Sequence, residues 1–267
     1  MKARIHPTAI IADDARIHES VEIGAFCHIG PKTILESGVK LHPNVVVCGN
    51  SRLGENVVVF PHACIGSEPQ DMKFDGEESF LEIGARSIIR ENVTISRGTQ
   101  GGGLLTRIGT DCLFQCNSHV GHDGIIGNHV IFSAAAMTGG HCKIDDFAIL
   151  GGNSAVQQFV RIGKYAMVGG MTGVRNDVLP FALVSDMPAT LKGINLVGLR
   201  RHGFKTAEIR AIKRAYDILF DTKDSLRARA ESLTNTFDKN AHVNLLRDFV
   251  LDVGKCSLCM PGDDFAE

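Results

Sequence analysis

The chain has 267 residues, a net charge of −2 at pH 7, no Trp, two Tyr and 29 Gly. That length fits one large domain or two smaller ones, and the near-balanced charge excludes a field drawing the whole molecule to nucleic acid or an anionic membrane. The N-terminus MKARIHPTAI has no apolar export core, and no stretch approaches the roughly 18 uncharged apolar residues of a membrane span. A soluble cytoplasmic protein is therefore expected, with no membrane insertion, no nucleic-acid partner and reduced thiols at its eight cysteines.

From the N-terminus an aliphatic residue recurs at every sixth position: Ile5, Ile11, Ile17, Ile23, Ile29, Leu35, Leu41, Val47, Leu53, Val59 and Ile65. A small or β-branched residue follows each by four, as at Ala9, Ala15, Cys27, Thr33 and Ala63. A repeat of six fits neither the 3.6 period of a helix nor simple strand alternation. Three short strands per turn of a triangular coil do fit, with the large side chain filling the interior and the small one near a corner. Residues 67–82, polar and acidic, interrupt the period; it resumes at Ile83, Ile89 and Ile95. Residues 98–106 (GTQGGGLLT) interrupt it again. This glycine run lacks the lysine and helix start of a phosphate-binding P-loop, so flexible reach is the favoured reading. The period then runs from Ile108 through Phe114, Val120, Ile126, Phe132, Thr138, Ile144, Leu150, Val156, Ile162 and Val168 to Val174.

After Pro180 the hexads fade, and the spacing of Ile209, Ile212, Tyr216 and Leu219 predicts a helix with Thr206 at its N-cap. The expected division is 1–186, a β coil with two thrown-out loops, and 187–267, a small α-helical domain. Lys192, Arg200, Arg201, Lys205, Arg210, Lys213 and Arg214 are opposed only by Glu208 in 192–214. That stretch is either a solvated helix face or a landing surface for an acidic or phosphorylated partner. Cys256-x-x-Cys259 has no second pair or nearby histidine, so zinc is not expected there.

The hexads resemble the hexapeptide-repeat family, whose members fold as a left-handed parallel β-helix with about 18 residues per coil. That hand is the exception to the usual right-handed crossover, so it comes from the resemblance alone. Coils stack at about 4.8 Å, and stability accumulates between neighbours. With this register, His119, His122 and Asp123 all leave the coil surface. His122 lies beneath Gly140 and Gln158, and Asp123 beneath His141 and Phe159. One patch thus holds a base, a carboxylate to orient it and a bare backbone donor, the set needed for acyl transfer to a hydroxyl.

H-x-x-H-D (119–123), G-G-H (139–141), Q-Q-F (157–159), P-Q-D-M-K (69–73) and G-I-N-x-x-G-L-R-R (193–201) resemble the bacterial UDP-N-acetylglucosamine 3-O-acyltransferase family. The resemblance implies transfer of an (R)-3-hydroxyacyl chain from acyl carrier protein to the sugar 3-hydroxyl, the first step of lipid A synthesis. It also implies a homotrimer with sites in the clefts between neighbouring coils, and no cofactor or metal. Carried over by position, His122 is the general base, Asp123 its partner and the Gly140 N–H the oxyanion donor. Asp71, Lys73 and His119 hold the sugar, with Gln70 and His141 nearby; Gln157 lies by the acyl chain, and Gln158 is a further substrate-binding residue. Asn195 and Arg201 reach the nucleotide. Gly170 sets acyl length, and a small residue there implies a longer chain. The sequence departs from the family pattern at Gln157 (a histidine is common), Val197 (a glutamate), His202 (a second arginine) and Pro188. Two other functional classes compete with this reading. His119, His122 and His141 are compatible with a zinc site like that of γ-class carbonic anhydrases, which leaves the glycine pair without a role. A β-helical scaffold would carry outward threonine ladders, which this surface lacks.

Overall fold

A computed structural model describes residues 3–221, 223–237 and 240–262; residues 1–2, 222, 238–239 and 263–267 of the expected domain ranges lie outside them. Parallel strands, mostly two residues long, wind into a left-handed β-helix with three faces. Among the described residues face one has 11 strands, face two nine and face three eight. The register advances by one coil per rung: Leu113↔Ile131 and Phe114↔Phe132 on face one, His119↔Met137 and Val120↔Thr138 on face two, Ile125↔Lys143 and Ile126↔Ile144 on face three.

The hexad explains the interior. Leu53, Ile65, Ile89, Phe114, Phe132 and Ile144 are buried at the aliphatic position, and Cys27, Ala63, Cys112, Ala136, Cys142 and Ala148 at the small one. Even Thr138 is 2% exposed, pointing inward like its apolar equivalents. From Phe26 onward the coil turns each place a residue with positive φ, a conformation that Asn and Asp tolerate best among non-glycine residues. Asn44, Asn56, Asn92, Asp111, Asn117 and Asn153 fill many of these positions. At one corner, between faces three and one, aromatic rings take the same conformation and stack. His129 lies 4.7 Å from Phe147, Phe147 4.7 Å from Tyr165, and Tyr165 6.0 Å from Phe181, with interplanar angles of 9°, 5° and 12°. Ring stacking of about 0.5–1.5 kcal/mol per pair offsets a backbone cost of similar size.

The C-terminal part packs on that ladder. Residues 190–194, on the helical side of the expected boundary, form a strand antiparallel to 182–185 and so extend face one. Among the described residues four helices follow: α1 (Leu196–Arg201), α2 (Thr206–Leu219), α3 (Leu226–Thr236) and α4 (Ala241–Leu251). The predicted α2 stripe is buried at Ile212, Tyr216 and Leu219, and the Tyr216 hydroxyl donates to Pro180 O at 2.6 Å. The cap lies one residue earlier than expected. Lys205 is the N-cap and its N–H donates to the Glu208 carboxylate at 2.6 Å, leaving Thr206 as the first helical residue. Among the described residues no helix is long and apolar enough to cross a membrane.

Candidate active site

Both interruptions of the hexad leave the coil at the same corner. Strand Cys64–Ser67 lies on face two and Phe80–Ile83 on face three, and Thr94–Ser96 and Leu105–Ile108 repeat that step one coil later. His122, Gly140 and Gln158 turn this corner on successive coils. The loops are therefore aimed at the polar patch by their phase in the repeat.

Asp123 leaves the coil as expected, yet its side chain is 1% exposed. The Gly-rich loop covers it. The Thr99 N–H donates to Asp123 Oδ1 at 2.8 Å and the Thr99 hydroxyl to Oδ2 at 2.6 Å. Below, the Asp123 N–H donates to Thr106 Oγ1 at 2.8 Å. Gly102 explains the glycine run: a Cβ there would stand 2.0 Å from Asp123 Cγ. The reading of this loop as mere flexible reach is thus corrected; the missing side chain at Gly102 lets backbone close over a carboxylate.

His122 Nδ1 lies 2.7 Å from Asp123 Oδ2. An ionised carboxylate only accepts, so Nδ1 carries the proton and Nε2 keeps its lone pair. Nε2 faces Asp71 Oδ2 of the first loop at 4.0 Å. Gly140 sits over the ring, where a Cβ would come within 2.5 Å of Cε1 and Nε2. Its N–H makes no hydrogen bond among the described residues. The His141 N–H donates to His122 O at 2.8 Å, locking the two coils together. The His141 ring meets that of His122 edge-on at 5.0 Å and stacks on Phe159 at 4.5 Å. Burial pulls the His141 pKa below its ordinary value, against the opposing pull of Asp123. His119 stands on face two, its Nδ1 2.7 Å from Thr94 Oγ1, and burial lowers its pKa too.

A cleft of about 430 Å³ opens beside this cluster, lined by Asp71, Lys73, Thr99, His141, Phe159 and Lys255 among others. Gln70, Gln157 and Gln158 are exposed at the same corner. Three expected site residues lie elsewhere. Gly170 is on the corner between faces one and two, stacked over Gly152. Asn195 is on the corner between faces three and one, where its amide is occupied: Oδ1 accepts from Gly198 N at 3.0 Å and Nδ2 donates to Tyr165 O at 3.0 Å. Arg201 is exposed on the last turn of α1. Of the basic stretch, Lys192 is paired with Asp186 at 2.8 Å. Thr94, Thr99, Gly102 and Lys255 join the site without having been singled out by motif.

Ligand atoms of His122, Asp123 and His141 lie within 4.8 Å of one another, a span a cation could bridge. Both Asp123 oxygens are already engaged by Thr99 and His122, an arrangement that orients an imidazole rather than keeping a carboxylate open for metal.

Known proteins share this architecture and sequence. The family described as UDP N-acetylglucosamine O-acyltransferase, domain 2, matches residues 177–257. The acyl-[acyl-carrier-protein]–UDP-N-acetylglucosamine O-acyltransferase of Agrobacterium fabrum is 43% identical over 91% of this chain and 88% of its own length. That of Rhizobium johnstonii is 43% identical over 93% of this chain and 91% of its own. The structure of LpxA from Acinetobacter baumannii superposes with a TM-score of 0.92 at 37% identity, covering 95% of this chain and 98% of that one. With this identity along nearly its whole length, the chain belongs to the acyl-[acyl-carrier-protein]–UDP-N-acetylglucosamine O-acyltransferase family.

Proposed function

We propose that the protein transfers an (R)-3-hydroxyacyl group from acyl carrier protein to the 3-hydroxyl of UDP-N-acetylglucosamine, the step that opens lipid A synthesis, in the cytoplasm. The observation that carries this reading is the His122–Asp123 pair at 2.7 Å, with Nε2 left basic beneath a Gly140 N–H that has no partner among the described residues. A sugar hydroxyl is a weak nucleophile until its proton is removed, help worth about 10²–10⁴ in rate. Nε2 takes that proton as the oxygen attacks the thioester carbonyl. The tetrahedral oxyanion accepts from the Gly140 N–H, a contact whose loss typically slows such steps by about 10²–10³. Collapse breaks the carbon–sulfur bond, and the departing thiolate receives the proton from His122. The Thr99 donors and His122 hold Asp123 in place throughout. Asp71, Lys73, Gln70 and His119 surround the acceptor sugar, and Gln157 lies on the acyl side, with Gln158 a further substrate-binding residue.

A homotrimer belongs to the same reading. His122, Gly170 and Asn195 lie on three different corners of the triangular β-helix. No single triangular prism can point three corners at one substrate, so Gly170, Asn195 and Arg201 act on substrate only if neighbouring copies present them to another chain's His122. Asn195, with its amide occupied, then contributes by holding α1, and Arg201 is the residue that reaches the diphosphate.

The test is direct. Purified protein is incubated with UDP-N-acetylglucosamine and a panel of 3-hydroxyacyl carrier proteins, and the products are weighed. A 3-O-acylated sugar nucleotide is expected, with the longer chains preferred. No product with any donor, or activity that requires stoichiometric zinc, would overturn the reading.

A further inference from the structure

We infer that Lys255 is a substrate-binding residue that holds a phosphate group in the cleft, an inference that rests on the transferase reading above. Lys255 comes from the segment after α4, far in sequence from every motif of the site. Its ammonium stands 4.1 Å above the ring of Phe159, which stacks on His141, which meets His122 edge-on. It lines the cleft together with Lys73 and Thr99, and a second cleft on its other side with Arg161 and Lys143. Among the described residues neither Lys255 nor Lys73 forms an ion pair, although Asp71, Asp75 and Glu77 line the same space. A cation held against an aromatic face while its N–H donors stay free is suited to an anion arriving from solvent.

The position of Lys255 is built rather than incidental. Asp177, fully buried, accepts from the Arg161 backbone N–H at 2.8 Å and from its Nε at 2.7 Å. The rest of the Arg161 guanidinium donates to the Asp252 carbonyl at 2.5 Å and carboxylate at 3.1 Å, tying down the end of α4. Beyond Lys255, the Asp177 N–H donates to Ser257 O and the Cys259 N–H to Asp177 O, each at 2.8 Å. Residues 252–259 thus form a strap pinned on both sides of Lys255, across the same corner that carries His122 one coil and more below.

Both substrates of the proposed reaction bring phosphate: the diphosphate of the nucleotide sugar and the phosphodiester of the carrier's prosthetic arm. Steady-state kinetics of wild type, Lys255→Ala and Lys255→Arg, with each substrate varied in turn, separates them. Lys255→Ala is expected to raise KM roughly 5- to 20-fold for one substrate with kcat near wild type, as for loss of one exposed charged contact. Lys255→Arg is expected to restore most of it. The substrate whose KM rises identifies the phosphate. Unchanged KM for both substrates, or a fall in kcat alone, would overturn the inference while wild-type turnover leaves the transferase reading standing. An inactive wild type would overturn that reading, and this inference with it.

Discussion

His122 and His119 are three residues apart and chemically alike, yet their surroundings divide them. His122 has a buried carboxylate on Nδ1 and faces Asp71 from Nε2 at 4.0 Å, whereas His119 bonds a threonine hydroxyl. Thr99 controls the difference through Asp123. Thr99→Val removes the hydroxyl donor and keeps the backbone one, so kcat should fall roughly tenfold, the scale of one hydrogen bond to a charged group, with KM little changed. An unchanged kcat would mean that Asp123 needs no support from the loop. His119 also makes a pH prediction. Burial lowers its folded-state pKa below the ordinary value of about 6.5. As pH falls below about 6.5 the unfolded chain takes up a proton that the folded chain refuses, so stability decreases on acidification. Urea unfolding at neutral and mildly acidic pH should show a shallower loss in His119→Gln than in wild type. Equal slopes would contradict the assignment.

The corner between faces two and three is the functional element. Three chain segments converge on it: residues 67–82, residues 98–106 and the strap after α4. The first two convergences were written in the hexad phase, because each interruption falls between a face-two aliphatic (Ile65, Ile95) and a face-three one (Ile83, Ile108). The outward direction of His122 and Asp123, and the stacking of 122 under 140 and 123 under 141, were legible for the same reason. Burial of Asp123 was not, because a register gives direction but not what later folds over a side chain. The strap was illegible for a different reason: Lys255 is placed by Asp177 and Arg161, partners remote in sequence that share no repeat. Arg161 is 12% exposed at its side chain and Asp177 fully buried. Arg161→Ala leaves that carboxylate unpaired and should destabilise the fold by about 3–5 kcal/mol, read from urea unfolding. It should also release the strap, so the surviving folded enzyme is expected to share the KM defect of Lys255→Ala. A stability near wild type would show that Asp177 finds other partners.

At the scale of the molecule, the β-helix is a ruler that repeats three corners, and the proposed reaction uses all three from different copies. Subunit mixing checks this. His122→Ala and Arg201→Ala proteins, each weakly active alone, are unfolded together and refolded into mixed trimers. Part of the wild-type activity should return, since some clefts then combine an intact His122 with an intact Arg201. No gain over the separate proteins would place both residues in a cleft of one chain. The coil architecture was readable from the sequence because every hexad states it again. The homotrimer came from the family resemblance alone, because a hexad specifies how coils stack within a chain and not how copies meet. The most direct test of the whole account remains the turnover of His122→Ala beside wild type, with UDP-N-acetylglucosamine and the preferred 3-hydroxyacyl carrier protein. His122 lies outside the hydrophobic interior, so the variant should keep its melting temperature while kcat falls by about 10²–10⁴. A folded His122→Ala protein that turns over near the wild-type rate would contradict the account.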